Sequence, residues 1–296
     1  MTPRPLSVLI GALGGEGGGV LTDWLVAAAS AADLPVQSTS IPGVAQRTGA
    51  TTYYVEIHPE TNAMLGGKRP LMALYPCPGD VDMVVVSELV EAGRALENGL
   101  VSPDRTTLSA ATHRVYADVE KAAMGDGRVL SEPILKAARV LARTPILFDP
   151  GREESLRGQP LNAVLLGAIA GAGVLPIPRA LFEDAIRASG IAVEANLGGF
   201  EIGVALAQNP PKEAEPEPAA APAPPPPTAT EAIAGLPDAA RPIAEEGVRR
   251  LVEYQNQAYA RLYLDRLARV AVVAPAVVPE MARQLALWMA YEDVIR

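Results

Sequence analysis

Over residues 1–207, short apolar runs alternate with longer stretches that are apolar on one face or throughout. Ser7-Val8-Leu9-Ile10 is apolar and runs into a glycine cluster, as a buried strand does. Residues 20–32 follow, rich in Ala and Leu and free of Pro and Gly, and predict a helix. Residues 35–41 and the β-branched, aromatic run 51–57 predict two further strands. Residues 81–86 are nearly all apolar, the pattern of a strand covered on both faces, and residues 88–97 form the helix after it. Three more helical segments are expected near 162–173, 178–189 and 197–207, punctuated by Gly173, Pro176, Pro178 and Gly190. Alternation of this kind predicts an α/β fold, a Rossmann-like layered sheet with helices on both faces, the sheet parallel or mixed.

The pattern breaks at residues 208–228, where 9 of 21 residues are Pro and 5 are Ala. Such a segment buries too little surface to offset its ordering entropy, and its prolines favour an extended geometry. The expected organisation is therefore a body at 1–207, a Pro/Ala-rich linker at 208–229 and a helical segment at 230–296. In that last segment Val248, Leu251, Val252, Tyr259, Leu262 and Tyr263 recur at helical spacing. Met281, Leu285, Trp288 and Met289 do the same. Two amphipathic helices predict a thin core that docks either on a partner subunit or on sequence beyond Arg296. The second pattern reaches Arg296 with no stop signal, so the segment is expected to be incomplete.

Composition narrows the chemistry. Of the 296 residues 49% are hydrophobic but only 4% aromatic, so the core is built from Ala, Val, Leu and Ile. The net charge of −9 argues against nucleic acid and against a polybasic membrane anchor. No run approaches the ~18–20 uninterrupted apolar residues of a membrane helix, and no signal peptide is evident, which predicts a cytoplasmic protein. One cysteine, Cys77, and two histidines, His58 and His113, cannot by themselves form a [4Fe–4S] cluster, a Cys/His zinc site or a disulfide. No nucleophile–base constellation is visible, so no catalytic or metal-binding residue is assigned. Cys77 sits in a turn and reads as inert. Asp82 and Glu88 read as solvated or capping residues.

The strongest local feature is the run from Gly11 to Gly19, with six glycines in nine positions between a strand and a helix. Gly14, Gly15, Gly17 and Gly18 let a backbone approach a ligand closely, and the helix that follows directs its free N–H groups at an anion such as a phosphate. Glu16 lies in the same loop. The spacing is not G-x-G-x-x-G, and the acidic residue that would bind a nicotinamide dinucleotide's ribose is missing after the second strand, where Gln37 to Ser40 stand. The second feature is the loop at 42–51. In a parallel sheet it shares the ligand edge with the glycine loop, where Arg47 offers a multi-donor cation and Gln46 and Thr48 neutral partners. Asn162 opens a helix, and N-cap is its simplest reading.

The glycine run 11–18, the run 38–54 (Ser-Thr-Ser-Ile-Pro-Gly-Val-Ala-Gln-Arg-Thr-Gly-Ala-Thr-Thr-Tyr-Tyr) and Asn162-Ala163-Val164-Leu165-Leu166-Gly167-Ala168 resemble the gamma-type domain of 2-oxoacid:ferredoxin oxidoreductases. The likeness is greatest to the beta subunits of the indolepyruvate enzymes. It covers residues 5–207 and, in a longer form, extends through 247–296, notably Tyr254-Gln255, Tyr263-Leu264-Asp265-Arg266 and Trp288-Met289-Ala290-Tyr291-Glu292-Asp293. Many members carry Gln where this chain has Glu16, and a carboxylate suits an anion site only where it faces away. The resemblance implies a partner alpha subunit that carries thiamine diphosphate, magnesium and [4Fe–4S] clusters and passes electrons to ferredoxin. It further implies that this domain helps to hold coenzyme A as co-substrate, through Gly14, Gly15, Glu16, Gly17, Gly18, Gln46, Arg47, Thr48 and Asn162. Arylpyruvates would be oxidatively decarboxylated to aryl-acetyl-CoA, in amino acid catabolism. Two other readings stand beside it: a non-catalytic structural subunit of another 2-oxoacid oxidoreductase, and a stand-alone nicotinamide-dependent reductase.

Overall fold

The computed structural model describes residues 3–41, 50–116, 120, 128–211 and 227–290. The chain divides into two compact units, Met1–Lys212 and Glu213–Arg296. Among the described residues no helix is long and apolar enough to cross a membrane.

The first unit is built on a six-stranded mixed sheet. Its strands are β1 (Leu6–Leu13), β2 (Val36–Ile41), β3 (Ala50–Ile57), β4 (Met83–Val86), β5 (Thr107–Ala111) and β6 (Thr144–Phe148), in the order β2-β3-β1-β4-β5-β6. β3 is antiparallel to both its neighbours, whereas β1, β4, β5 and β6 pair in parallel. The helices are α1 (Gly18–Ala31), α2 (Asn62–Leu65), α3 (Leu89–Glu97), α4 (Ser131–Leu141), α5 (Leu161–Gly171), α6 (Arg179–Ser189) and α7 (Val193–Gln208). Strand side chains alternate between two cores, as the period of two requires. Val8, Ile10, Val55, Ile57, Met83 and Val85 pack with α1, α5, α6 and α7. Leu9, Tyr54, Val84, Val86, Leu108 and Ala110 pack on the other face with α3 and α4. The layered α/β expectation holds.

Two strands, β5 and β6, and two helices, α2 and α4, were not legible. β5, Thr-Leu-Ser-Ala-Ala, has a single large apolar residue, yet all five positions are buried. β6 and α4 lie in the stretch that carried no expectation. Among the elements expected, β1 runs on through Gly11-Ala12-Leu13, because Gly11 continues the pairing with both Thr52 and Val86. Glu88 does cap α3, its carboxylate accepting from the Val90 N–H at 2.6 Å, but neither it nor Asp82 is solvated. Asp82 is held by Arg4, the Ser7 N–H and the Ser7 hydroxyl.

α5 and α7 meet backbone to backbone, since Gly167 and Gly171 on one helix and Gly199 and Gly203 on the other remove the side chains between them. A Cβ on Gly167 would lie 2.0 Å from the Phe200 carbonyl oxygen, and one on Gly203 1.9 Å from that of Val164.

The second unit holds α8 (Pro227–Ala234), α9 (Arg241–Tyr254), α10 (Gln257–Val273) and α11 (Val278–Met289). Among the described residues the expected pair of amphipathic helices is thus a four-helix unit with its own core, including Ile233, Leu236, Val248, Leu251, Leu264, Leu267 and Met289. Tyr263 is fully buried there and donates its hydroxyl to the Ala282 carbonyl at 3.0 Å. Two expected core positions differ: Leu262 and Trp288 face outward, and Leu264 and Leu267 fill the place the pattern gave to Leu262. The residues at 291–296, and most of the segment expected to be a linker, lie outside the described residues.

Candidate functional site

β1 delivers the chain to the carboxyl edge of the sheet, where Gly14 to Gly17 turn it into α1. Gly15 and Gly17 have φ of +92° and +75°, the left-handed region that a side chain disfavours. Gly18 answers a different need. A Cβ there would sit 2.5 Å from that of Ala12 and 2.9 Å from the Tyr53 ring, so its absence lets α1 start close against β1 and β3. Part of the glycine excess therefore serves packing, and Gly14 to Gly17 remain as the turn itself. No side chain caps α1, so the backbone N–H groups of its first turn have no intrahelical acceptor. They border a cleft of about 320 Å³ lined by Ala12 to Gly15, Gly17 to Val20, Thr51 and Tyr53. This concave set of amides at the positive end of a helix suits an anion.

Asn162 reaches the same turn. It lies one residue inside α5, whose N-cap is Pro160, so the capping reading is overturned. Its side chain instead occupies the space beside Gly17, where a Cβ would fall 2.8 Å from the Asn162 Nδ2. Gln46, Arg47 and Thr48 lie outside the described residues. The strands flanking them end at Ile41 and resume at Ala50, which pairs with Leu13 at the mouth of the glycine loop.

Glu16 does not line the cleft. Its carboxylate turns the other way, accepting a hydrogen bond from the Ser87 hydroxyl and standing 3.8 Å from the Nε2 of His113. Ser87 is fixed at the end of β4. Its N–H donates to the Gly11 carbonyl at 2.9 Å, and its Oγ accepts from the Leu13 N–H at 3.1 Å. His113 follows β5. The Glu16 carboxylate, working against burial, raises the His113 pKa above its ordinary value, and Glu88 and Asp149 add to the rise. Next to it Arg114 is held between the buried Glu88 and Glu120 carboxylates at 2.9 and 2.5 Å and donates to the Val129 carbonyl. Sequence reasoning missed the Glu16–Ser87–His113 group. Its members are 71 and 26 positions apart, and it becomes visible only once β5 is recognised as a strand. Ser87, directly after the apolar run 83–86, was the one local signal.

Other candidates are structural. His58 is buried, its Nε2 donating to the Pro3 carbonyl at 3.1 Å and its Nδ1 accepting from the Glu60 N–H at 3.2 Å. Cys77 is exposed. Among the described residues no group of three or more His, Cys, Asp or Glu side chains could hold a metal ion.

A family model described as pyruvate ferredoxin/flavodoxin oxidoreductase matches residues 7–206. A second, described as a family of unknown function (DUF6537), matches residues 240–296. No curated protein matches the sequence. Among solved structures, the gamma subunit of a keto/oxoacid ferredoxin oxidoreductase from Geobacter sulfurreducens is similar at 16% identity and a TM-score of 0.44, over 68% of this chain and 98% of that one. Pyruvate oxidoreductase subunit PORC from Thermotoga maritima is similar at 16% identity and 0.45, over 68% and 96%. The 2-oxoglutarate:ferredoxin oxidoreductase of Magnetococcus marinus, with 2-oxoglutarate, coenzyme A and succinyl-CoA bound, gives 16% and 0.46, over 72% of this chain and 32% of that one.

Proposed function

Because the chain belongs to the pyruvate ferredoxin/flavodoxin oxidoreductase family, we propose that it is the coenzyme A-holding subunit of a cytoplasmic arylpyruvate (indolepyruvate):ferredoxin oxidoreductase. The observation that carries the reading is the uncapped first turn of α1 opening onto the cleft between the glycine loop and Thr51–Tyr53. The arylpyruvate substrate rests on the resemblance of the segments at 11–18, 38–54 and 162–168.

In this reading the amides at the start of α1 hold a phosphate of coenzyme A. Gln46, Arg47 and Thr48 add side-chain donors, and Arg47 supplies the charge. Asn162 props the backbone at Gly17 and so fixes the direction of the loop amides. Glu16, turned toward Ser87 and His113, keeps its carboxylate out of the cleft. The lone cysteine does not fit an iron–sulfur cluster, so the clusters belong to the alpha subunit, together with thiamine diphosphate and magnesium. Bound there, thiamine diphosphate supplies the decarboxylation chemistry, and the electrons leave for ferredoxin.

The test is steady-state kinetics of the complex assembled with its alpha subunit. Arg47→Ala removes one charge-assisted contact of roughly 1.5–3 kcal/mol. It is expected to raise KM for coenzyme A about tenfold to hundredfold with the KM for indolepyruvate unchanged. The chain alone is expected to be inactive. A KM change confined to the 2-oxoacid reassigns the loop to substrate. An unchanged KM for both favours a purely structural subunit.

A further inference from the structure

We propose that His113 is a positioning residue of the glycine-loop site: with Ser87 it holds the Glu16 carboxylate against the ends of β4 and β5, turned from the cleft, and its positive charge cancels that of the carboxylate. The inference rests on the anion-binding reading above and assigns a residue that reading does not use.

Glu16 lies within the turn that offers its amides to an anion, so its charge opposes any anion bound there unless it is both aimed away and neutralised. Both conditions are met by two neighbours. The Ser87 Oγ already accepts the Leu13 N–H, which directs the hydroxyl proton to Glu16. The other carboxylate oxygen faces the His113 Nε2 at 3.8 Å, the distance of an ion pair and too long for a hydrogen bond. The imidazole Nδ1 is buried with no hydrogen-bond partner among the described residues, and it is the Nε2 that faces Glu16. Among the described residues, the carboxylates acting on the ring are Glu16 from the loop, Glu88 from the start of α3 and Asp149 from beyond β6. Two of these carboxylates carry cations of their own: Arg114 is engaged by Glu88 and Glu120, and Arg152 stands 3.4 Å from Asp149. All three carboxylates favour the imidazolium, in agreement with the raised pKa.

When His113 loses its proton, the Glu16 charge is left uncompensated beside the loop. One uncompensated unit charge beside the loop, in a setting between water and protein interior, weakens anion binding roughly tenfold. Anion affinity therefore falls as pH rises through the His113 pKa, which the Glu16 carboxylate holds above the ordinary histidine value.

The experiment uses the full chain with coenzyme A as probe, measured calorimetrically from pH 6 to 9. It is paired with an NMR titration of the two histidines in wild type, Glu16→Gln and His113→Gln. The titration of the ligand's own phosphates cancels in the comparison of wild type with Glu16→Gln. We expect wild-type affinity to fall about tenfold relative to Glu16→Gln across the range, and His113→Gln to show the weaker affinity even at pH 6. The His113 resonance should titrate above the ordinary value in wild type and move down in Glu16→Gln. A His113 titration unaffected by Glu16→Gln overturns the proposal whether or not coenzyme A binds. Equal pH dependence in all three proteins also overturns it and leaves the anion site standing. Absence of binding in all three at every pH, with the His113 shift intact, overturns the coenzyme A reading itself.

Discussion

The two units solve the problem of stability differently. In the first, thirteen polar or charged side chains are buried among the described residues, from Ser7 to Asn196, most of them near strand ends, helix starts or in ion-pair networks, with Ser109 in mid-strand. In the four-helix unit the described core is apolar, and the one large polar group inside it is the Tyr263 hydroxyl. Its charges lie on helix surfaces as pairs three and four residues apart, such as Arg249–Glu246 and Arg261–Asp265. Buried polar groups cost free energy unless they are paired, and a fold retains them where something other than stability requires them. The difference teaches that the sheet unit has to accommodate polar groups among its buried positions, whereas the helical unit is shaped by apolar packing.

That contrast can be broken by substitution, with hydrogen exchange on the full chain reporting each region separately. The largest effect is expected for Arg114→Ala, which strands the Glu88 and Glu120 carboxylates in the interior. Breaking a buried network in this way costs about 3–5 kcal/mol. Protection should fall across the sheet unit and stay unchanged in residues 227–290; an equal loss in both would mean the units are not energetically separate. Next comes Gly203→Ala, whose Cβ would be driven into the Val164 carbonyl. Because both sides are helix backbone, the strain cannot be relieved by a rotamer change, and about 3 kcal/mol is expected, read as a lowered melting transition of the same unit.

Tyr263→Phe tests the other side of the comparison. Losing its hydrogen bond to Ala282 should cost the helical unit about 1 kcal/mol at neutral pH. Burial pushes the Tyr263 pKa up. A group that ionises more readily when unfolded contributes stability that is complete below its unfolded pKa, near 10, and is lost as pH rises beyond it. Wild type should therefore lose protection in residues 227–290 between pH 9 and 11, and Tyr263→Phe should lose less. The smallest effect is expected for Glu246→Gln. Hydrogen bonds from Arg249, then from Arg250, push the Glu246 pKa down to about 2. That contribution is present above pH 4.5 and is lost as pH falls toward 2. The pair is exposed to solvent, so only a few tenths of a kcal/mol are expected, in an acid melting series and less at high salt.

The apolar strands were legible because their side-chain pattern is local. Residues 83–86 announce burial on both faces, and residues 51–57 announce a β-branched, aromatic strand. β5 was not legible, because Thr107, Ser109, Ala110 and Ala111 acquire their burial from β4 and β6 on either side. Of the candidate site, Gly15 and Gly17 carried their own signal, a turn of positive φ before a helix. Asn162, whose simplest reading was an N-cap, stands inside α5 with its side chain beside Gly17. Leu262 and Trp288 show the limit of helical spacing alone: a residue at the margin of an apolar stripe turns in or out according to what the next helix presents.

By itself, then, the sequence determined the alternation of strand and helix and the glycine turn at the end of β1. These depend on side-chain period and backbone freedom, which are properties of neighbouring residues. The tertiary structure alone decided that β3 runs against its neighbours, that glycines on α5 and α7 face each other, and that Glu16 meets Ser87 and His113. Those outcomes depend on which strand ends share an edge of the sheet, and contacts between residues far apart in sequence exist only once the sheet has assembled.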